Sequence, residues 1–279
     1  MWTPCSLIKE FKSDLVFSND INIVINTLKI RKTSLDDYLP DIGNVELINK
    51  DEISKFKTSK RCEEHATGRY LLHQMLIKYY PSIDYTCVEV YRDENRAPFL
   101  KWINGTFKSK PLPHFSISTS GDFAVVALSS PEYVIGIDIE KLNEKRSKNL
   151  LQFMSNGLEL EKTIEIYNSG ENYRINQLWT AKEAVLKALG VGMSISPAKI
   201  KVLDLNLKFR SMVEYKHFKL YLKTSIIDFG EKYSFSIAYR ITQKNNFETL
   251  NALEFKLKKS LSAKLENGQY NFNLGCSTN

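Results

Sequence analysis

The sequence has little that would carry it into or across a membrane. No apolar run reaches the roughly 20 residues that a spanning helix needs. Met1 to Phe17 carries Lys9, Glu10 and Asp14 and has no signal-peptide apolar stretch. A cytoplasmic protein without a membrane span is therefore expected. Cysteine is scarce: Cys5, Cys62, Cys87 and Cys276 form no CxxC pair, and no histidine pair stands beside them at zinc-ligand spacing. This argues against a structural zinc or a disulfide framework and predicts free thiols in a reducing compartment. No RNP-type motif is visible, and there is no strict internal repeat. Among the four histidines, His65 and His73 share one helical stretch. They stand about two turns apart, too far for one small ion, and both read as structural.

What is present is enough to fold. The chain has 279 residues, 43% of them hydrophobic, which fits one large domain or two modest ones and is too apolar for disorder. The formal net charge of +7 attracts polyanions: nucleic acid, acidic membranes, phosphorylated cofactors or acidic proteins. Composition alone does not choose among them.

Asn22 to Ile30 is rich in β-branched residues and predicts a strand. Glu52 to Tyr80 predicts one or two helices ending before Pro81, with Leu72, Met75 and Leu76 on an apolar stripe. Strands are expected at Tyr85–Tyr91, Phe99–Trp102, His114–Ser120, Asp122–Ser129 and Tyr133–Glu140. The Ser129-Ser130-Pro131 break divides the chain into halves. The second half predicts helical segments between Lys148 and Tyr167 and a long helix from about Tyr173 to Leu189. Gly190 serves as its stop. Strands at Ile200–Leu203, His217–Leu222 and Tyr233–Tyr239 follow, then an amphipathic helix carrying Leu250, Leu253, Leu257 and Leu261 and a loose tail. Both halves read strand, helix, strands. The fold class is α+β, with two similar α/β lobes: an N-terminal lobe over 1–130, a C-terminal lobe over 131–245, and an extension over 246–279.

Two segments carry chemistry. In Val134-Ile135-Gly136-Ile137-Asp138-Ile139-Glu140, strand alternation puts Ile135, Ile137 and Ile139 on one face and Asp138 with Glu140 on the other. Adjacent carboxylates repel unless something positive lies between them, and fixed oxygen ligands suit a hard cation. Taken alone, this is also an ordinary solvent-facing strand. In Gln177 to Leu189, Leu178, Val185 and Leu189 form the buried stripe, and Thr180, Glu183 and Lys187 form a polar one. Taken alone, that is also an ordinary Glu–Lys surface pair.

Together, Gly136-Ile-Asp138-Ile-Glu140 and Trp179-Thr-Ala-Lys182-Glu183-Ala-Val-Leu-Lys187 resemble the paired signature of the 4′-phosphopantetheinyl transferase superfamily, G-I/V-D-x-E followed by W-S/T-x-K-E-A/S-x-x-K. Upstream, Lys60-Arg61-Cys-Glu-Glu-His-Ala-Thr-Gly68-Arg69 is similar to the K-R-x-x-E-x-x-x-G-R stretch of the longer, two-lobed branch. His114-Phe-Ser-Ile-Ser118-Thr119-Ser120-Gly121 is similar to its F-N-I-S-H-S-G strand and turn, with Thr119 where the family has histidine. Arg96-Ala97-Pro98 resembles a G-K/R-P element with the basic residue one place early.

The resemblance implies a pseudo-twofold, pseudo-dimeric monomer and a defined reaction. The family transfers 4′-phosphopantetheine from coenzyme A, its co-substrate, to a serine of an acyl, peptidyl or aryl carrier protein and releases 3′,5′-ADP. It implies Mg²⁺, with Mn²⁺ as a substitute, held by Asp138, Glu140 and Glu183. Glu183 would be the base and Lys187 would serve the leaving group. Lys182 would reach the diphosphate. Lys60, Arg61, Arg69, Arg96, Ser118, Thr119 and Ser120 would hold the nucleotide. The pathway served is left open among siderophore, polyketide, nonribosomal peptide and fatty acid. The alternative is a coenzyme-A- or carrier-binding module that has lost catalysis; a nucleic-acid partner is not expected.

Overall fold

The computed structural model describes residues 8–10, 23–30, 47, 50–103, 110–142, 146–204, 206 and 208–242. The amphipathic helix and tail expected beyond residue 242 lie outside the described residues. Ile23–Thr242 belongs to one compact unit, built on two four-stranded antiparallel sheets with one long helix against each.

The first sheet has the order β1-β2-β6-β5. Its strands are β1 (Ile8–Glu10), β2 (Ile23–Lys29), β5 (His114–Ser120) and β6 (Phe123–Ser129). The short α1 (Lys50–Ile53) precedes α2 (Ser59–Tyr79), which is capped by Thr58 accepting from the Arg61 amide. Leu72, Met75 and Leu76, the expected stripe, are fully buried with Phe115, Val126 and Leu128. Each such side chain contributes roughly 1.5–3 kcal/mol relative to exposure. A two-stranded ribbon of β3 (Val88–Arg92) and β4 (Pro98–Trp102) lies between α2 and β5 in the chain. Tyr85–Cys87, expected as strand, is instead a 3₁₀ turn. The Asp84 carboxylate accepts from the Thr86 amide and draws the backbone out of extension.

The second sheet has the order β7-β10-β9-β8. It comprises β7 (Tyr133–Lys141), β8 (Met212–Tyr215), β9 (Phe218–Asp228) and β10 (Lys232–Ile241). Two helices, α3 (Lys148–Met154) and α4 (Gly157–Asn168), lead to α5 (Asn172–Leu189), which packs on β7, β10 and β9. Leu178, Val185 and Leu189 are buried as the periodicity requires. Gly190 ends α5 at φ 68°, a left-handed cap in which its N–H reaches back to Leu186 and Lys187.

Ile200–Leu203 is not a strand. It follows a 3₁₀ turn at Pro197–Lys199, capped by the Ser196 hydroxyl, and contributes only an isolated bridge between Leu203 and Phe209. Ile200 and Val202 fill the core by α5, and the Ile200 carbonyl accepts from a lysine instead of a neighbouring strand.

The sheets meet edge to edge. β5 ends the first and β7 ends the second. The amides of Ile137, Ile139 and Lys141 donate to the hydroxyls of Ser116, Ser118 and Ser120 at 3.0, 3.3 and 3.1 Å. The numbers rise together at a constant offset of 21, so the two edges run in the same direction, joined through side chains.

Candidate active site

The site begins with a close approach. A Cβ on Gly136 would lie 2.2 Å from the Ala184 carbonyl oxygen and 2.4 Å from the Ala188 nitrogen. Only glycine lets α5 ride so near β7. Asp138 and Glu140 share the Gly136 face by alternation, and thus face the helix rather than solvent. Thr180 fixes the rotation of α5. Its hydroxyl lies 2.7 Å from Ser234 Oγ and 2.9 Å from Ser236 Oγ, the cross-strand partners of Glu140 and Asp138. One turn on stand Glu183 and then Lys187. The Lys187 ammonium donates to Asp138 Oδ1 at 2.8 Å and to the Ile137 carbonyl at 2.9 Å.

Each strand carboxylate has further donors. Asp138 Oδ1 also accepts from Ser118 Oγ at 2.7 Å. Glu140 Oε2 is 2.7 Å from Arg146 Nη2 and accepts from Ser120 Oγ at 3.2 Å. Arg146 Nε donates to Asn176 Oδ1 on α5, and Asn176 in turn donates to the carbonyls of Lys141 and Leu142. The sequence reading missed Arg146 and Asn176: neither lies in a signature segment, and no periodicity marks them.

Three carboxylates thus face two cations. Burial pushes the Glu183 carboxyl up to about 7; Lys187 opposes the shift, while Asp138 and Glu140 add to it. Glu140 is likewise raised, by burial first and then by Asp138, against Arg146 and Ser120. Glu183 Oε1 and Asp138 Oδ2 are buried without a hydrogen-bond partner among the described residues. Unpaired buried carboxylate oxygens are costly, and a hard divalent cation would satisfy them with the all-oxygen donors it prefers. The donor set therefore fits such an ion in kind. As placed, no group of three or more His, Cys, Asp or Glu among the described residues converges closely enough to hold a metal. Lys187 and Arg146 balance the charge instead. Two surface cavities, of about 470 and 270 Å³, are lined by other residues.

The other expected site residues divide. Lys182 does not face the carboxylates. It is fully buried on another side of α5, donating to Glu159 Oε2 at 2.8 Å and to the carbonyls of Ile200 and Pro197 at 2.6 and 3.3 Å. Neighbouring helix positions point about 100° apart, so Lys182 and Glu183 diverge, and Lys182 is held inside the fold instead of reaching toward the carboxylates as expected. Burial brings its ammonium down to about 8, with Glu159 opposing.

Arg69 is also internal, 4% exposed. Its guanidinium lies over the Phe115 ring with Nη2 3.8 Å from Glu52. That buried place replaces the expected phosphate contact. The hydroxyls of Ser118 and Ser120 turn to β7 and its carboxylates. Thr119 faces the other side of β5 by alternation.

Lys60 and Arg61 are exposed on the first turn of α2, 3.9 and 3.2 Å from Glu64. Arg96 is exposed in the β3–β4 turn at φ 64°. That turn comes to the end of α5: a Cβ on Gly192 would lie 3.3 Å from the Asn95 carbonyl oxygen. His65 and His73 both pack against rings, Phe56 at 5.2 Å and Tyr85 at 5.8 Å.

The model of the family described as 4′-phosphopantetheinyl transferase superfamily matches residues 134–238, which carry every carboxylate of the site. The model described as 4′-phosphopantetheinyl transferase, N-terminal, matches residues 32–131. Among curated proteins, the L-aminoadipate-semialdehyde dehydrogenase-phosphopantetheinyl transferase of Xenopus laevis is 26% identical over 159 residues, 54% of this chain and 51% of that protein. The 4′-phosphopantetheinyl transferase gsp of Aneurinibacillus migulanus is 35% identical over 85 residues, 29% of this chain and 33% of its own. The phosphopantetheinyl transferase of a Thraustochytrium species is 27% identical over 157 residues, 52% of each chain. The matches thus span about half, or less, of these relatives' lengths.

Proposed function

We propose, since the chain belongs to the 4′-phosphopantetheinyl transferase superfamily, a family of enzymes, that it moves 4′-phosphopantetheine from coenzyme A to a serine of an acyl, peptidyl or aryl carrier domain. The reaction depends on Mg²⁺, with Mn²⁺ as a substitute, and releases 3′,5′-ADP. The single observation that carries this reading is the meeting of Asp138 and Glu140 from β7 with Glu183 and Lys187 from α5.

Asp138, Glu140 and Glu183 would hold the ion, through oxygens that include the unpartnered Asp138 Oδ2 and Glu183 Oε1. When bound, it supplies Lewis-acid chemistry, drawing charge from the phosphate under attack. The carrier serine is a weak nucleophile and needs a base. Glu183, on the face of α5 turned to the β7 carboxylates, would take its proton as general base, directly or through a water. The serine oxygen forms a bond to the phosphorus bearing the pantetheine, and the bond from that phosphorus to the oxygen of the departing 3′,5′-ADP breaks. Lys187 meets the negative charge that develops there. Lys60, Arg61 and Arg96, exposed as they are, supply cations for the nucleotide phosphates, and Thr119 one neutral hydroxyl.

We assign nucleotide recognition chiefly to residues 1–130 and the metal and base to 131–245, with 246–279 as an extension, in a cytoplasmic monomer. The test is incubation of the purified protein with coenzyme A, Mg²⁺ and a panel of apo carrier domains, read by intact mass. A phosphopantetheine mass gain, lost in Asp138→Ala and Glu183→Ala, is expected; no gain on any carrier would overturn the reading. The occupation of the carboxylates by Lys187 and Arg146 favours a second reading, a binding module without catalysis. It is distinguished by coenzyme A binding without any mass gain.

A further inference from the structure

The strand carboxylates are held by β5 as well as by cations. Ser118 Oγ accepts the Ile139 amide at 3.3 Å, and its single hydrogen goes to Asp138 Oδ1 at 2.7 Å. Lys187 donates to the same oxygen. With both donors on Oδ1, Oδ2 is left buried and unpartnered among the described residues. Ser120 repeats the arrangement one step along. It accepts the Lys141 amide at 3.1 Å and donates to Glu140 Oε2 at 3.2 Å, which Arg146 shares. Ser116 accepts the Ile137 amide at 3.0 Å in the same way, and no hydrogen bond joins it to a carboxylate among the described residues.

We infer that Ser118 and Ser120 are positioning residues of the metal-binding carboxylates. The β7 amide fixes each hydroxyl, the hydroxyl fixes which carboxylate oxygen is engaged, and the other oxygen is thereby presented to the ion. The inference rests on the transferase reading above. It removes these serines from the nucleotide and gives the β5 strand a part in the metal centre that lies wholly on β7 and α5. Outer partners of metal ligands are worth about 10–100-fold in affinity or activity.

Ser116 supplies a matched control, since its replacement removes the same kind of amide acceptor from the same seam. Wild type, Ser116→Ala, Ser118→Ala, Ser118→Thr and Ser120→Ala are compared for three quantities. These are Mn²⁺ affinity of the coenzyme-free protein by electron paramagnetic resonance, KM for coenzyme A, and melting temperature. Ser118→Ala and Ser120→Ala are expected to weaken Mn²⁺ about 10–100-fold, with KM for coenzyme A at saturating Mn²⁺ unchanged. Ser118→Thr should restore most of the affinity, and Ser116→Ala should lower the melting temperature while leaving Mn²⁺ affinity at the wild-type value. Should Ser118→Ala fail to fold, Ser120→Ala carries the same comparison through Glu140.

Wild-type Mn²⁺ affinity in both alanine variants overturns the inference. So does a rise in KM for coenzyme A with Mn²⁺ affinity intact, which would return the serines to the nucleotide. If the wild type itself neither binds Mn²⁺ nor modifies a carrier, the transferase reading fails and this inference falls with it. If the wild type does both while the Ser118 and Ser120 variants match Ser116→Ala, this inference alone fails.

Discussion

Arg69 and His65 lie one turn apart on α2 around the carboxylate of Glu52, which also receives Arg92 through Nε at 3.0 Å and Nη2 at 2.6 Å. This cluster ties α1, α2 and β3 together. Arg69→Met should cost roughly 1–3 kcal/mol, the scale of a lost charged hydrogen bond or ion pair, and leave the preference for coenzyme A over dephospho-coenzyme A unchanged. Denaturant unfolding and the two KM values measure this; a selective loss toward coenzyme A would restore the phosphate role. His65 gives a pH signature. Its pKa is brought down to about 4, by burial first and then by Arg69, with Glu52 opposing and Arg61 and Arg92 adding. The unfolded state then binds a proton that the folded state refuses between about pH 6.5 and 4. The contribution is fully present above the unfolded value and is lost as pH falls through the folded one, on the order of 3 kcal/mol over that window. Unfolding free energies at pH 7 and pH 4.5 should therefore differ less in His65→Gln than in wild type; an equal difference would assign the acid sensitivity elsewhere.

At the scale of elements, the site is the contact of α5 with β7, and Gly136 sets its depth. Gly136→Ala puts a methyl into the Ala184 carbonyl. The helix must move off the strand, at roughly 1–3 kcal/mol for overpacking. A displacement of about 1 Å between Glu183 and the β7 carboxylates costs on the order of 100-fold in rate. Transfer assayed below the variant's melting point should fall that far, and an unaltered rate would mean that α5 tolerates the wedge. Most of this contact was legible in sequence. Strand alternation paired Asp138 with Glu140, helical periodicity paired Glu183 with Lys187, and Gly190 marked the end of α5. The misreadings at the site share one physical origin, contiguity in the chain taken for contiguity in space. Lys182 adjoins Glu183 in sequence and diverges from it on the helix, while Ser118 and Thr119 adjoin on a strand and face opposite ways. Arg146 and Asn176 reach Glu140 and the β7 end only through tertiary packing, which no local pattern announces. Ile200–Leu203 looked like a strand because it is apolar and β-branched, and became core filling because Pro197 and the Lys182 ammonium claim its backbone.

For the whole molecule, the proposed ion sets a simple condition. Transfer should vanish in excess EDTA and return with Mg²⁺ or Mn²⁺, as an all-oxygen donor set requires; full activity in EDTA would exclude the mechanism. The serine seam between β5 and β7 has a different consequence, for how copies of the chain behave toward one another. Each sheet ends on one of these strands, and a bare edge is a template on which a foreign strand can pair. Here the two edges shelter each other, and three hydroxyls stand in for the backbone carbonyls of a partner strand. Replacing Ser116, Ser118 and Ser120 together by alanine would leave three amides of β7 without acceptors and the seam easier to part. During refolding, such a variant should scatter light at concentrations where the wild type stays clear, because an edge denied its hydroxyls will take its hydrogen bonds from another chain.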